Sequence, residues 1–247
     1  MKCIILAGGY AKRLWPLTNY TPKPLLDING KPIINIILEK INKVHEIDEV
    51  FVSTNKKFEA PFRDWIKENH TSGKKMKLIL EPTIEESGKF GTIAGISYAI
   101  ESENIEDDCI VIAGDNLFDF ELSDFIAFYE KKRAPVFAVF DIKDFWKAQL
   151  YGIVSIDGNN RIVDFVEKPE KAPSTLASTA CYIFPKETLH LFKAYIKDGG
   201  RKDSPGFFIA WLSKKQPVYA YTFKGHWFDI GDFESLEKAR EFMKGKK

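Results

Sequence analysis

Little in this chain ties it to an oxidising compartment, a membrane or a polyanion. Only three cysteines occur in 247 residues, and Cys3, Cys109 and Cys181 each sit inside an apolar, strand-like stretch with no C-x-x-C spacing. They read as buried structural thiols. The odd count and the lack of an amino-terminal signal segment lead to the expectation of a cytoplasmic protein. No apolar run approaches the length that spans a bilayer, so no membrane partner is expected, and the sequons Asn19-Tyr20-Thr21 and Asn69-His70-Thr71 carry no meaning. A formal net charge of +1 argues against coating a polyanion. The short runs Lys74-Lys75 and Lys131-Lys132-Arg133 read as solvated faces or helix C-termini, and no nucleic-acid partner is expected. Histidine is scarce too: His45, His70 and His190 show no ligand spacing, and His226 stands alone. The first loop lacks G-x-G-x-x-G and no G-x-x-x-x-G-K-[ST] occurs, which disfavours a Rossmann dehydrogenase and a P-loop ATPase.

What is present is ordinary globular composition, 45% hydrophobic and 29% charged, in a chain long enough to bury a full core. The first half alternates strand and helix signals. Strands are expected at 2–7, 50–52, 76–80 and 109–113. Between them Pro32 opens a helix with Ile33, Ile37, Leu38 and Ile41 on one face, and Phe58, Phe62, Trp65 and Ile66 recur at helical spacing. Further helices are expected at 92–100 and from Leu122 to the basic run at 131–133. Repeated βα units of this length predict an α/β fold, a doubly wound and mostly parallel sheet with its ligand at the C-terminal edge of the strands. From about Val136 the pattern turns richer in strands: a hairpin of 153–156 and 162–166 around Asp157-Gly158-Asn159-Asn160, and strands at 180–184 and 218–223. Helices are expected at 186–197, 207–212 and 233–243. With no Pro/Ser-rich linker, 1–247 is expected to be one compact domain with two functional halves, about 1–135 and 136–247.

The first strand runs into Gly8-Gly9, then Arg13-Leu14-Trp15-Pro16-Leu17-Thr18, Pro22-Lys23-Pro24-Leu25-Leu26 and Gly30-Lys31-Pro32. Glycines at a strand end let backbone N–H groups approach a phosphate. The planar Arg13 and the point charge of Lys23 suit a polyphosphate. In this order and spacing the segment resembles the signature of the sugar-1-phosphate nucleotidyltransferases, closest to short forms like glucose-1-phosphate thymidylyltransferase. The resemblance implies a Rossmann-like nucleotide-diphospho-sugar transferase fold with a mixed, mostly parallel sheet. It also implies Mg²⁺-dependent transfer of a nucleotidyl group from a nucleoside triphosphate to a sugar 1-phosphate. No hexapeptide repeat follows, so the β-helix tail of some members is not expected. Members often form dimers or tetramers, and nothing here narrows the homo-oligomer.

The family's roles carry over by motif. Arg13, Lys23 and Asp115 are implied to be catalytic. Leu6, Gly8, Gly9, Arg13, Lys23, Glu81, Gly91 and Asp115 are implied to bind the nucleotide, and Asp115 of Gly114-Asp115-Asn116 and Asp229 of Trp227-Phe228-Asp229-Ile230-Gly231 to hold the metal. Read alone, each aspartate equally suits a turn or helix cap, while two carboxylates plus substrate phosphates suffice for Mg²⁺. Tyr151-Gly152 and Glu167-Lys168-Pro169 resemble the sugar-phosphate segments, with Tyr151, Gly152, Glu167 and Lys168 the implied contacts. Four departures stand out: Lys12 for Ser or Thr, Ala180 for glycine, a longer 83–90 stretch containing Glu85-Glu86, and Glu81 where many members carry glutamine. An ionised glutamate only accepts hydrogen bonds and suits guanine, whereas Gly114-Asp115-Asn116-Leu117-Phe118 looks like the thymidylyltransferase branch. dTTP or UTP is favoured, GTP stays open, and glucose 1-phosphate is the favoured acceptor. Two other readings remain: a silent paralogue that binds nucleotide sugar and regulates a partner, and a cytidylyltransferase with a non-sugar acceptor.

Overall fold

The computed structural model describes residues 1–69, 73–83 and 90–245. His70 and Thr71 of the second sequon, and Glu85-Glu86 with most of the 83–90 stretch, lie outside them. The chain runs β1 (Lys2–Leu6), α1 (Ile33–Asn42), β2 (Glu49–Asn55), α2 (Glu59–Glu68), β3 (Lys75–Glu81), α3 (Thr92–Ser102) and β4 (Cys109–Ala113). It continues through β5 (Asn116–Phe118), α4 (Leu122–Lys132), β6 (Val136–Asp141), the single turn α5 (Phe145–Ala148), β7 (Gly152–Ile156), β8 (Ile162–Glu167) and β9 (Leu176–Phe184). The last elements are α6 (His190–Lys197), α7 (Pro205–Ser213), β10 (Tyr219–Phe223), β11 (Trp227–Asp229) and α8 (Phe233–Lys244).

Among the described residues one nine-stranded sheet has the path β10-β6-β9-β4-β1-β2-β3, with the β7–β8 hairpin joined to β9. The pairs β1–β2, β1–β4, β2–β3 and β6–β10 are parallel, while β9 runs antiparallel to both β4 and β6. This is the mixed, doubly wound α/β arrangement expected. Alternation along β1 sends Cys3 and Ile5 to one face and Ile4 to the other, because successive strand side chains point oppositely. The first face is covered by α1, α2, α4 and α8, and the second by α3, α6 and α7. The three cysteines are free and buried. No described helix is long and apolar enough to cross a membrane.

Local chemistry explains most boundaries. Pro32 precedes α1, whose Ile33, Ile34, Ile37, Leu38 and Ile41 form the buried stripe. The helix α4 ends in Lys131-Lys132, with Arg133 in the left-handed region at φ 49°. α8 opens on a capping box of Asp232 and Ser235. Besides the unexpected single turn α5, three differences from the sequence expectation appear. The 186–197 helix is two pieces, a 3-10 turn at Lys186–Thr188 and then α6, with Thr188 Oγ1 donating to the Pro185 carbonyl at 2.8 Å. β9 begins at Leu176 rather than 180, because its first residues pair with β6 across a bulge. Finally β5 and β11 form a separate antiparallel ribbon, pairing Asn116 with Asp229 and Phe118 with Trp227.

Candidate active site

That ribbon builds the centre of the site. Asp115 follows the C-terminal end of β4 and Asp229 ends β11, and the Ile230 N–H donates to the Asp115 carbonyl at 3.1 Å. Asn116, 4% exposed, ties the two together. Its amide donates to Asp115 Oδ1 at 2.9 Å and to Asp229 Oδ1 at 3.5 Å, while its carbonyl accepts from Trp227 Nε1 at 2.7 Å. The two carboxyl groups assigned to a metal from sequence therefore face one another across a shared amide.

Basic groups of the opening loop meet this pair. Lys23 lies in a 3-10 turn at Lys23–Leu25, ion-pairs with Asp115, and donates to the Ile230 carbonyl at 2.7 Å. Arg13 lies in the turn Lys12–Leu14, anchored by the fully buried Leu14, and a Cβ on Gly231 would stand 2.9 Å from Arg13 Nη2. Glycine at 231 thus admits the guanidinium beside Asp229. Lys12 is exposed, its ammonium 5.8 Å from the Trp15 ring centre.

Electrostatics separates the two aspartates. Burial pushes the Asp115 carboxyl up, but the Lys23 charge and the hydrogen bonds from Lys23 and Asn116 hold it below its ordinary value. Asp229 is raised by burial and by the charge of Asp115, against the opposing pull of Lys23 and Arg13. Two half-buried carboxylates with incomplete cationic compensation form a hard-oxygen donor set that suits a divalent ion. No described cluster holds three or more His, Cys, Asp or Glu side chains at metal-binding spacing. Asp115 and Asp229 fit Mg²⁺ as the two-carboxylate type completed by substrate phosphates.

A cleft of about 270 Å³ opens beside Asp115. It is lined by Leu6, Gly8, Gly9, Glu81, Gly91 and Asp115, all named from sequence, together with Ala180, Tyr182, Asp203 and Pro205, which were not assigned a role. Gly8 is held by its carbonyl, which accepts from Asn55 Nδ2 at 3.0 Å, and Gly9 faces open space. Gly91, at φ 82°, is required by the chain itself: a Cβ there would stand 2.6 Å from the Lys202 carbonyl oxygen. That carbonyl accepts from the Ile93 N–H at 2.8 Å, joining the first half of the chain to the second. Ala180 adopts φ 55°, a left-handed backbone that explains why glycine suits this position.

The residues implied to meet the sugar phosphate come from the β7–β8 hairpin, where Gly152 opposes Glu167. A Cβ on Gly152 would reach within 2.4 Å of the Phe165 ring and 3.0 Å of Glu167 Oε2. Its smallness serves side-chain packing, in addition to any backbone contact. Glu167 is raised by burial, with the Lys168 charge opposing. Tyr151 packs on Trp227 at 5.0 Å between ring centres and lines a second hollow with Trp227, Asp229 and Asp232. Burial and the charges of Asp229 and Asp232 raise its phenol. The aspartate pair thus stands between two openings. Lys168 is exposed at φ 45°, its N–H donating to the Tyr151 carbonyl at 3.0 Å. His226 belongs elsewhere, its Nδ1 2.8 Å from Asp119 Oδ2.

The sequence pattern of the nucleotidyl transferase family matches residues 2–246. The chain is a member of the nucleotidyl transferase family. Among curated relatives of this nucleotidyl transferase, it is 30% identical over 244 residues to the bifunctional protein GlmU of Methanocaldococcus jannaschii, covering 98% of this chain and 54% of that one. It is 31% identical over 242 residues to a UTP–glucose-1-phosphate uridylyltransferase of Synechocystis, covering 94% and 60%. The chain thus spans a little over half the length of these relatives. A solved UDP-glucose pyrophosphorylase complexed with UDP-glucose shares the fold at a TM-score of 0.83 and 23% identity, covering 100% of this chain and 99% of that one.

In sequence Asn116 and Trp227 read only as motif flanks. Their bond to each other explains why the two motifs come as a pair. Asp203 and Pro205 carried no signal, because they reach the cleft only through the 202–203 backbone packed on Gly91.

Proposed function

We propose that this nucleotidyl transferase joins a hexose 1-phosphate, glucose 1-phosphate in preference, to the nucleotidyl group of dTTP or UTP, releasing pyrophosphate. The observation that carries the reading is the meeting of Lys23, Arg13, Asp115 and Asp229 around Asn116 at the C-terminal edge of β1 and β4. The uridylyltransferase relative and the UDP-glucose complex of the solved pyrophosphorylase support the choice of uridine and glucose.

In this reading a phosphate oxygen of the sugar attacks the α-phosphorus, a P–O bond forms, and the bond to the pyrophosphate oxygen breaks. The attacking oxygen is already ionised, so no general base is needed, and positioning with charge neutralisation dominates. Arg13 offers its planar fork to phosphoryl oxygens as charge moves onto the leaving group. Lys23, anchored on the Ile230 carbonyl, sets the angle of Asp115 and adds positive charge beside the phosphates. Asp115 and Asp229 would hold Mg²⁺, which when bound supplies neutralisation of the repelling phosphates. Residues 1–135 carry the nucleotide and triphosphate in this assignment. Residues 136–247 carry the sugar, with Glu167 accepting from hydroxyls, Lys168 meeting the 1-phosphate and Tyr151 walling the pocket. Three free, buried thiols accord with a reducing cytoplasm.

Pyrophosphate release measured over a grid of nucleoside triphosphates and sugar 1-phosphates tests this. The expected result is Mg²⁺-dependent release with UTP or dTTP and glucose 1-phosphate together. Nucleotide-sugar binding with no release under any pairing overturns it in favour of a silent paralogue, and release only with CTP and phosphocholine in favour of a different acceptor.

A further inference from the structure

Of the described residues that line the cleft beside Asp115, Ala180 alone is a non-glycine residue with a left-handed backbone, at φ 55°. An L side chain in that region crowds its own backbone, a strain that persists only where the surrounding structure imposes it. Here β6 imposes it. Phe137 pairs with Tyr182 and Val139 with Ser178, so Thr179, Ala180 and Cys181 of β9 all stand opposite the single Ala138. Thr179 Oγ1 pins this bulge by donating to the Ala138 carbonyl at 2.9 Å. Thr179 is fully buried and Cys181 belongs to the opposite face, which leaves Ala180 half-buried on the cleft side with Tyr182. Bulges beside functional sites re-aim a side chain in this way.

The bulge also falls where β9 changes partners. β4 pairs with β9 as far as Ile112 opposite Cys181, and β7 takes over with Ile153 opposite Ala177. Residues 178–180 therefore span the gap between these two strands. On one side of it the chain leaves β4 for Asp115, and on the other the hairpin carries Gly152 and Glu167. Open α/β sheets take their ligands in crevices where neighbouring strands part. Burial raises the Tyr182 phenol and the charge of Glu167 adds to it, so the acid of the hairpin lies close to this wall. Pro205 lines the cleft, and a Cβ on the next residue, Gly206, would stand 2.4 Å from Glu167 Oε2. A sugar 1-phosphate with its phosphate at Asp115 and its hydroxyls at Glu167 must lie across Ala180.

We propose that the Ala180 methyl is a steric filter for the acceptor sugar. It admits a hydroxyl on the ring carbon next to the phosphate-bearing one and excludes an acetamido group there. Of the ring's substituents, the one on that carbon lies nearest the phosphate. One step beyond the Ile112–Cys181 pair, the antiparallel register brings Ala180 level with Ala113, just short of Asp115. A hydroxyl can rest in van der Waals contact with a methyl at this point. The much larger acetamido group needs the wall to retreat, and the bond from Thr179 to the Ala138 carbonyl holds the wall in place. Glycine at 180 would keep the backbone and remove the obstruction. Selectivity of this kind comes from a clash with the wrong sugar, with no added contact to the right one. The inference rests on the proposed transfer to a sugar 1-phosphate.

The test is pyrophosphate release, with UTP and with dTTP, by the wild-type chain, Ala180→Gly and Ala180→Asn, each given glucose 1-phosphate and N-acetylglucosamine 1-phosphate. Glycine and asparagine both tolerate the left-handed backbone, so each variant should keep the bulge, checked by circular dichroism and thermal unfolding. The wild type should prefer glucose 1-phosphate in kcat/KM by about 100-fold. Ala180→Gly should cut that preference by about 10- to 100-fold, chiefly through a lower KM for the acetamido sugar. Ala180→Asn, with its longer side chain, should raise the KM for glucose 1-phosphate about tenfold. A residue that serves the bulge alone would shift the unfolding temperature and leave the preference where it was. That result, or a wild type that uses both sugars equally, overturns the filter and leaves the transfer reading standing. Folded wild-type protein that releases pyrophosphate with neither sugar overturns the transfer reading, and the filter with it.

Discussion

At one end of the site, Gly8, Gly9, Arg13 and Lys23 come from a single loop, yet their partners Asp115, Ile230 and Gly231 arrive from far along the chain, the Lys23–Ile230 bond spanning 207 positions. At the other end, Tyr151, Gly152, Glu167 and Lys168 belong to one hairpin, and their mutual contacts are local: Gly152 opposite Glu167, and the Lys168 N–H on the Tyr151 carbonyl. The end proposed for the phosphates is organised by charge and holds two aspartates whose titrations are pushed apart. The end proposed for the sugar is organised by shape, with Phe165 and Glu167 filling the space left by Gly152 and Gly206. Cancelling a concentrated charge needs groups from several strands, because one segment cannot surround an anion. A neutral ring with hydroxyls can be framed by two adjacent strands.

The sharpest way to break this contrast is at the aspartates. Asp115→Asn and Asp229→Asn should each lower Mg²⁺-dependent pyrophosphate release by about 10³-fold with circular dichroism unchanged. Near-normal turnover in both variants would show that the phosphate end does not work by charge. Arg13→Ala should slow kcat by ~10²–10³-fold if the guanidinium acts on developing charge. An effect confined to KM would make it a ground-state clamp. Lys168→Ala should raise the KM for sugar 1-phosphate about tenfold with kcat largely kept, the cost of one charged hydrogen bond. Unchanged sugar affinity with weaker nucleoside triphosphate binding would exchange the two ends. The smallest effect belongs to the helix behind Asp229: Asp232→Ala removes the capping box of α8 and should cost about 1 kcal/mol, read by thermal or denaturant unfolding. A loss near zero would mean that β11 is held by its ribbon with β5 alone.

Much of the fold was legible because its signals are periodic. The isoleucines of α1, the aromatic stripe of α2 and the apolar strands β1 and β4 each repeat at one spacing, and burial follows it. The three-residue strands β5 and β11 are too short to show a period, so the ribbon that unites Asp115 with Asp229 left no trace in the pattern. The single turn α5, capped by Asp144, is likewise too short to show a period. Gly91 was legible as a special glycine, yet the reason for it, the Lys202 carbonyl, lies in the other half of the chain. For Glu81 the residue type alone gave a carboxylate acceptor, while its burial, which raises the carboxyl beside the Ser53 hydroxyl, is set by neighbouring strands.

From its sequence alone this chain specified an α/β sheet, a glycine-rich loop after the first strand, two cations and two aspartates, since periodicity and short motifs are written in consecutive residues. Which aspartate is held below its ordinary carboxyl range and what holds the pair together were decided only by tertiary structure. Those properties depend on burial and on neighbours from distant strands, and no local stretch of sequence encodes a dielectric environment.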